Sequence, residues 1–227
     1  MRPLTACLGA VLALLLIFST PVKATHPAVM DSIDPLQWVS LSMINVGPFL
    51  IPGDDLKIGI HCTTFQVGSH YHLTDFHCIG DDDTGEVLDR GYYVGTEKAK
   101  VVDWDYADDL AILETKSVNE HPLDLADQVA MFDHIETAGF SFGWKQPQWF
   151  AGQMGSVGVH DSDWGEKPFN IYVVNVAGGQ SGSPVINSDG KVVGIVQRTQ
   201  DPRMFNPVGY GPTLHDLAAF AEWAFYN

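Results

Sequence analysis

Short apolar runs and polar turns alternate along most of the chain. Many of the runs switch between apolar and polar residues at every position, as a half-buried strand does. Clusters of Gly, Pro, Asp and Ser separate them. This spacing predicts an all-β sandwich or barrel. The runs are 57–65, 91–95, 99–104, 110–114, 149–158, 170–176, 184–187 and 191–197, and the turn clusters are 52–55, 80–85, 161–165 and 188–190.

Two elements are predicted in more detail. Asp189-Gly190 lies between two apolar runs and predicts the turn of a hairpin. Helical periodicity occurs only at the C-terminus, where Thr213 and Asp216 form a capping pair ahead of an apolar face. That face comprises Leu214, Leu217, Ala218, Ala221 and Phe225. A softer junction near 119–134 separates two strand-rich halves, predicted as 25–125 and 126–227.

The first residues resemble an export signal. Met1-Arg2 supplies a basic start, 4–18 is almost entirely apolar, and Val22-Lys23-Ala24 is a small-x-small cleavage site. We predict a signal peptide over 1–24 and a secreted or periplasmic protein. An uncleaved anchor is the alternative, disfavoured because the run falls short of the roughly 20 residues that span a bilayer.

The net charge of the chain excludes some classes of binding partner. The chain has 28 acidic and 12 basic residues, for a net charge of −16. The leader holds Arg2 and Lys23 and no acid, so the mature charge is about −18. Such a surface repels nucleic acid and anionic membranes. We therefore expect an exported monomer with no nucleic-acid partner and no stable membrane association after signal cleavage.

Cysteine usage indicates a disulfide, and no cofactor is expected. Removal of the leader leaves Cys62 and Cys78, an even pair that predicts one disulfide in an exported chain. Two weaker metal patterns remain. Calcium binding by the acidic loop 81–86 stays open, although a solvated turn is favoured. The histidines of the other pattern are better interpreted as exposed strand residues, so we predict no metal; they are His61, His70 and His72.

The segment GGQSGSPV, residues 178–185, contains a candidate nucleophile, Ser181. A serine hydroxyl reacts only when a general base is in reach and donors face the developing oxyanion. Gly178-Gly179 allows the backbone to curl, so the amides of Gly179 and Ser181 would form the oxyanion hole. Ser183 is interpreted as a turn residue.

A base and an orienting acid occur upstream in suitable settings. His77 directly precedes Cys78, so a disulfide would hold the backbone beside it. Asp109 opens DLAIL, a buried-strand pattern that would keep a carboxylate rigid and shielded from water. Its neighbour Asp108 is expected to be solvated. We predict that His77, Asp109 and Ser181 form a catalytic triad.

The order His, Asp, Ser, with FHC, DLAIL and GGQSGSP, resembles the trypsin-like (chymotrypsin-fold) serine peptidases. The glutamyl-endopeptidase and HtrA-like branch is most similar in style, and the resemblance runs from about 40 to 225. It implies two six-stranded antiparallel β-barrels with a C-terminal α-helix. The catalytic residues would lie in the cleft between them, with His77 and Asp109 on the first barrel and Ser181 on the second.

The resemblance also implies an endopeptidase that hydrolyses polypeptides through an acyl-enzyme, and the predicted signal peptide makes it a secreted one. The spacing of Cys62 and Cys78 in this chain resembles that of the two cysteines that form the family's disulfide beside the histidine. No acid stands at the pocket-base position, so a preference for Lys or Arg is not supported. The residues implied to bind substrate are Asn175, Val176, Ala177, Gln197, Arg198 and Thr199.

The chain departs from the family pattern in three places. Relatives carry two small residues before the histidine, where this chain has Asp75 and Phe76, and Asp75 could supplement or compete with Asp109. Gln180 replaces an Asp that in digestive relatives pairs with a freshly cut N-terminus, so we expect activity without such a cut. Gln197 replaces a Ser that touches the orienting carboxylate.

Two alternatives remain. A catalytically inactive, peptide-binding protein on the same fold is disfavoured because all three triad residues are present. An α/β-hydrolase esterase would need G-x-S-x-G, whereas position 183 is Ser, and the order Ser, acid, His, which Asp201 and His215 could fill. For the peptidase, activity should fall as the pH drops through the pKa of His77, near 6.5 if unperturbed.

Overall fold

The computed structural model describes residues 41–46, 61–89, 91–118, 122–161 and 167–227, with backbone only for 41–46 and His61. The predicted signal peptide lies outside these residues. No helix within them is long and apolar enough to cross a membrane.

The first half is a closed antiparallel barrel. Its strands follow the order β1-β2-β3-β6-β5-β4 around the barrel. Each strand pairs with its neighbours in antiparallel register, and β4 closes the barrel onto β1. The strands are β1 (Leu41–Val46), β2 (His61–Gln66), β3 (Tyr71–Thr74), β4 (Tyr92–Val94), β5 (Glu97–Asp105) and β6 (Leu110–Glu114).

The second half is a curled antiparallel sheet with one strand more than predicted. Its order is β11-β10-β7-β8-β9-β13-β12. The additional strand is β12, two residues that pair with β13 at the sheet edge. The strands are β7 (His134–Gly139), β8 (Gln148–Val159), β9 (Phe169–Val173), β10 (Ser183–Asn187), β11 (Val192–Val196), β12 (Arg198–Thr199) and β13 (Gly209–Pro212).

This architecture confirms the predicted all-β double-barrel class. It also overturns the esterase alternative, because the described residues lack the alternation of strands and helices that an α/β hydrolase requires. Asp201 instead forms an exposed ion pair with Arg203. The barrel ends at Glu114 and the next strand begins at His134, so the boundary at 125/126 stays a prediction.

Three of the strands that the sequence pattern missed, β3, β7 and β13, are short or polar, and the pattern also missed β1 and β12. β7 buries Glu136 and Thr137, and β3 buries His72, so neither shows an apolar run. β13 is rich in glycine because a Cβ at Gly211 would lie 1.9 Å from the carbonyl oxygen of Ile195. In each case tertiary packing, rather than local hydrophobicity, defines the strand.

The predicted hairpin and helix are both present. β10 and β11 pair antiparallel across Asp189-Gly190. Helix α1 (Leu214–Phe225) begins after Thr213, whose hydroxyl accepts from the Asp216 amide at 3.1 Å. Its apolar face completes a core that joins both halves of the fold. That core includes Phe65, Leu73, Leu110, Ile112, Ile186, Val192, Ile195, Leu217, Ala221 and Phe225.

Cys62 and Cys78 form the predicted disulfide. It ties the start of β2 to the short 3-10 turn Phe76–Cys78 that follows β3. This turn carries His77, so the cross-link fastens the backbone on one side of the candidate site.

Candidate active site

His77 is held by two hydrogen bonds to one carboxylate. Its backbone amide donates to Oδ1 of Asp109 at 2.8 Å, and its ring Nδ1 lies 2.9 Å from Oδ2. A carboxylate only accepts hydrogen bonds, so Nδ1 carries the proton and Nε2 of the neutral ring is left as an acceptor. The His77 side chain is 27% exposed and that of Asp109 11%.

Asp109 reaches His77 from an unusual backbone conformation. Its φ is +52° just before β6, in the left-handed region that Asp tolerates better than most residues. The adjacent Asp108 turns away and pairs with Lys167, with 2.6 Å between Nζ and Oδ1. The structure therefore differs from the expectation that Asp108 is solvated, because Lys167 is within its reach.

Ser181 lies on a tight turn between the end of β9 and the start of β10. Gly179 and Gly182 flank it with φ values of +91° and +82°. Added Cβ atoms would lie 2.4 Å from the Phe140 carbonyl oxygen and 2.0 Å from that of Thr63, so both positions require glycine. Within the described part of the chain, the amides of Gly179 and Ser181 donate to no other group. Both remain available to a ligand.

Ser183 closes the turn and begins β10, because its amide donates to the Gln180 carbonyl at 2.9 Å. Its side chain is fully buried and packs against Gly139, where an added Cβ would lie 1.9 Å from the Ser183 hydroxyl. The Ser183 side chain therefore does not face the candidate site.

One cavity of about 510 Å³ brings these residues together. His77 and Asp109 from the barrel and Ser181 from the second sheet all line it. The structure describes no hydrogen bond between Ser181 and His77. Such bonds are often long in unliganded enzymes and tighten when substrate binds. The remaining lining residues are Asp82, Val176, Ala177, Gly178, Val196, Gln197, Arg198, Thr199 and Pro202.

All but one of the residues implied to bind substrate line this cavity. The exception is Asn175, which is exposed because it alternates with the buried Val174 and Val176. Asp82 and Pro202 were missed by the sequence interpretation. Both lie on loops, where no periodic pattern signals which way a residue faces.

A sequence comparison decides the class of protein. A family model described as a trypsin-like peptidase domain matches residues 62–195, more than half of the chain. The chain belongs to the trypsin-like peptidase family. It is accordingly a serine protease, a hydrolase. Comparison with curated proteins found no match.

Solved structures share the fold at low sequence identity. The inactive form of Rv3671c from M. tuberculosis H37Rv is 18% identical with a TM-score of 0.60, covering 90% of this chain and 96% of that one. Deg5 is 13% identical with a TM-score of 0.61, covering 87% and 92%. The HtrA-type protease AlgW, solved with a decapeptide, is 16% identical with a TM-score of 0.60, covering 79% and 61%. These likenesses show the fold alone.

Two departures from the trypsin-like pattern have defined positions. Gln180 is fully buried, and its Oε1 accepts from the Ala177 amide at 2.8 Å, so a neutral bond lies where digestive relatives have an ion pair. Gln197 does not touch the carboxylate of Asp109. Its amide donates to the backbone carbonyls of Asp108 and Asp109, at 2.5 and 2.9 Å. It thereby braces the acid-bearing loop from the second sheet.

Asp75, the third departure, does not compete with Asp109 for a hydrogen bond to His77. Its side chain is 0% exposed, and neither oxygen has a hydrogen-bond partner among the described residues. Burial first, and then the charge of Asp109, raise the pKa of Asp75 well above its ordinary value, although His77, the Gly182 amide and Arg198 oppose the rise. The neutral, protonated acid is therefore favoured beneath the site.

The same charges act on His77. Burial lowers its pKa, but the hydrogen bond to Asp109 and its charge outweigh this, with added contributions from Asp75 and Asp82, and raise the pKa to about 9. An ionised Asp75 would add to the rise, whereas its neutral form does not. The base is thus stronger than the unperturbed histidine expected from sequence.

Potential metal ligands converge in two places within the described residues. Cys62, Cys78 and His77 form one group, but both cysteines are consumed by the disulfide. Asp75, His77 and Asp109 form the other, with ligand atoms within 4.8 Å of one another. A metal there would have to displace the bonds between His77 and Asp109. Neither group includes the acidic loop 81–86.

The histidine pattern does not form a ligand cluster among the described side chains. His72 is buried rather than exposed, and its Nε2 lies 3.2 Å from the hydroxyl of Thr115. Burial lowers its pKa to about 4, although Glu97 opposes the shift. The side chain of His61 lies outside the described residues.

We predict that Asp75→Asn stabilises the fold increasingly as the pH rises. The folded pKa of Asp75 exceeds the unfolded one, so the stability that Asp75 contributes is fully present below its ordinary value of 3.8 and is lost as the pH rises toward the folded pKa. Asn cannot ionise and avoids this loss. Each unit of raised pKa corresponds to about 1.4 kcal/mol, or about 4 °C in Tm for a domain of this size. Thermal melting from pH 3.5 to 8 measures the difference.

Asp127→Asn, at an exposed position, controls for replacing a carboxylate by an amide. If Asp75→Asn instead lowers Tm at pH 7, the carboxylate is ionised and stabilises His77 by its charge.

Proposed function

We propose that the chain is a secreted serine endopeptidase in which His77, Asp109 and Ser181 act as a catalytic triad. The observation that carries the proposal is the double hydrogen bond from His77 to Asp109 beside the cavity that Ser181 also lines. It assigns the ring proton to Nδ1, and a neutral Nε2 is what a general base needs.

The mechanism is acyl transfer to water. His77 takes the proton of the Ser181 hydroxyl as its oxygen attacks a substrate carbonyl, and Asp109 stabilises the imidazolium that forms. The amides of Gly179 and Ser181 stabilise the oxyanion. His77 then protonates the leaving amine, after which water repeats the attack on the acyl-enzyme. The free amides and the two glycines with positive φ support this assignment.

The substrate is a polypeptide, as the trypsin-like family implies. The cavity that would receive it has mostly apolar or neutral walls, with the charges of Asp82 and Arg198 among its lining residues. Val176, Ala177, Gln197, Arg198 and Thr199 are the proposed substrate-binding residues.

Export to an oxidising compartment, as a monomer, is part of the proposal. The basic start, apolar run and cleavage site over 1–24 favour it. The disulfide between Cys62 and Cys78 agrees with it, because such bonds persist mainly outside the cytosol.

The alternative is a non-catalytic peptide-binding protein. The observation that favours it is the missing hydrogen bond between Ser181 and His77 in the described structure. A fluorophosphonate probe, which labels only an activated serine, separates the two functions.

We expect residues 25–227 to be labelled by the probe and to hydrolyse peptides. Ser181→Ala should abolish labelling and lower kcat/KM by at least about 1000-fold, because it removes the nucleophilic hydroxyl. Ser183→Ala is the matched control and should label like the wild type, since Ser183 is buried in β10. A folded wild type that is neither labelled nor active would establish the peptide-binding alternative.

Activity should not require a newly cut N-terminus. Gln180 carries no charge to pair with an amino group, and its side chain already bonds to the Ala177 amide. A Gly-Ser-Gly extension before residue 25 should therefore change kcat/KM by less than about twofold. Loss of activity that returns when the extension is removed would contradict this.

The rate should rise with pH through an acidic limb above pH 6.5. His77 must be neutral to act as the base, and the fold raises its pKa, to about 9. With Asp75 neutral, the midpoint of this acidic limb should lie between pH 6.5 and about 9. Measurement of kcat/KM from pH 5 to 10 tests this prediction. A rate that is flat from pH 5 to 8 would exclude His77 as the base.

A further inference from the structure

Thr63 connects the barrel to the Ser181 turn. It lies on β2, directly after Cys62, and is fully buried. We propose that the Thr63 hydroxyl is a positioning device that holds the Gly179 peptide, and with it the oxyanion hole, in a functional orientation. The inference rests on the proposed peptidase function and adds a residue outside the triad and its oxyanion amides.

The contacts of Thr63 define one orientation of its hydroxyl. Oγ1 donates to the carbonyl oxygen of Gly179 at 2.9 Å. The same oxygen accepts from the amide of Phe140 at 3.0 Å. A hydroxyl has a single proton, so it cannot donate elsewhere while the Gly179 bond persists. Its own backbone amide donates to the carbonyl of Ser181 at 2.7 Å.

Successive peptide groups of the turn each have a partner. The Gly178 carbonyl, whose peptide includes the Gly179 amide, accepts from Phe142 at 2.6 Å. The Gln180 carbonyl, whose peptide includes the Ser181 amide, accepts from Ser183 at 2.9 Å. The Gly179 carbonyl belongs to the peptide between these two, and Thr63 Oγ1 is its partner.

The Gly179 peptide is held at both ends, because its carbonyl accepts from Thr63 and its N–H, which belongs to Gln180, donates to the Ala177 carbonyl at 3.1 Å. Glycine adopts positive and negative φ with similar ease, so the observed +91° is not enforced by the residue itself. Loss of the Thr63 hydroxyl would leave the half-buried Gly179 carbonyl and the buried Phe140 amide without this partner. A rotation of the peptide would relieve this and would turn the flanking oxyanion donors out of line.

Neutral hydrogen bonds would thus hold the Ser181 turn, which in digestive relatives is held by an ion pair. Gln180 takes part in one of them, in which its Oε1 accepts from the Ala177 amide. Thr63 supplies a second from the opposite half of the fold.

The test compares Thr63→Val, Thr63→Ser and Thr64→Val in residues 25–227. Valine keeps the shape of threonine and lacks the hydroxyl. Thr64 is the matched control, because it is adjacent on β2, equally buried, and its hydroxyl bonds within the barrel to the Leu73 carbonyl at 2.8 Å. The readouts are kcat, KM, Tm and the backbone NMR relaxation dispersion of the Gly179 amide.

We expect Thr63→Val to lower kcat about 100-fold, as the loss of an oxyanion donor does, with KM changed by less than about threefold. Thr63→Ser should keep kcat within about threefold, since it restores the hydroxyl. Thr64→Val should lower Tm and leave kcat within about threefold. Exchange broadening at Gly179 should appear in Thr63→Val and not in Thr64→Val.

Equal kcat values for Thr63→Val and Thr64→Val would overturn the proposal, as would failure of Thr63→Ser to restore kcat. If the wild type hydrolyses nothing, the peptidase function fails separately. The NMR comparison then decides alone: unchanged dispersion at Gly179 in Thr63→Val would show that the hydroxyl does not hold the turn.

Discussion

The hydrogen bond from the Thr63 amide to the Ser181 carbonyl is the contact on which the site depends, because it joins the two halves of the fold at the nucleophile. A continuous path runs from it to the base. Thr63 follows Cys62, the disulfide leads to Cys78, and Cys78 adjoins His77. Ser181 and His77 are thereby fixed relative to each other although they come from different halves of the fold.

A second brace lies on the opposite side of the cleft. The Gln197 side chain reaches from the second sheet to the carbonyls of Asp108 and Asp109, and Asp109 in turn holds His77. The common core beneath, completed by α1, keeps the halves together without specifying atomic positions. The polar braces supply that specification, because a hydrogen bond is directional and apolar packing is not.

The two carboxyl groups next to His77 differ in their electrostatic environment. Asp109 is engaged by two N–H groups, while the Asp75 carboxyl is buried, has no hydrogen-bond partner among the described residues and favours its neutral form. Two ionised carboxylates beside one imidazole would hold His77 protonated, which would oppose its use as a base. Because burial favours the neutral form of Asp75, the His77 imidazolium loses its proton more easily than it would beside two ionised carboxylates.

The sequence by itself determined the fold class, the disulfide, the hairpin, the capped helix and the family, because these follow from local patterns and motif order. The tertiary structure decided what local patterns do not contain. It paired Asp108 with Lys167, moved Ser183 into a strand, turned Asn175 out of the cavity and brought Asp82 to its edge. It also placed Thr63 and Gln197 across the boundary between the halves. The reason is physical: periodicity reports which side of an element is buried, whereas a hydrogen bond between distant segments exists only once both sheets have packed.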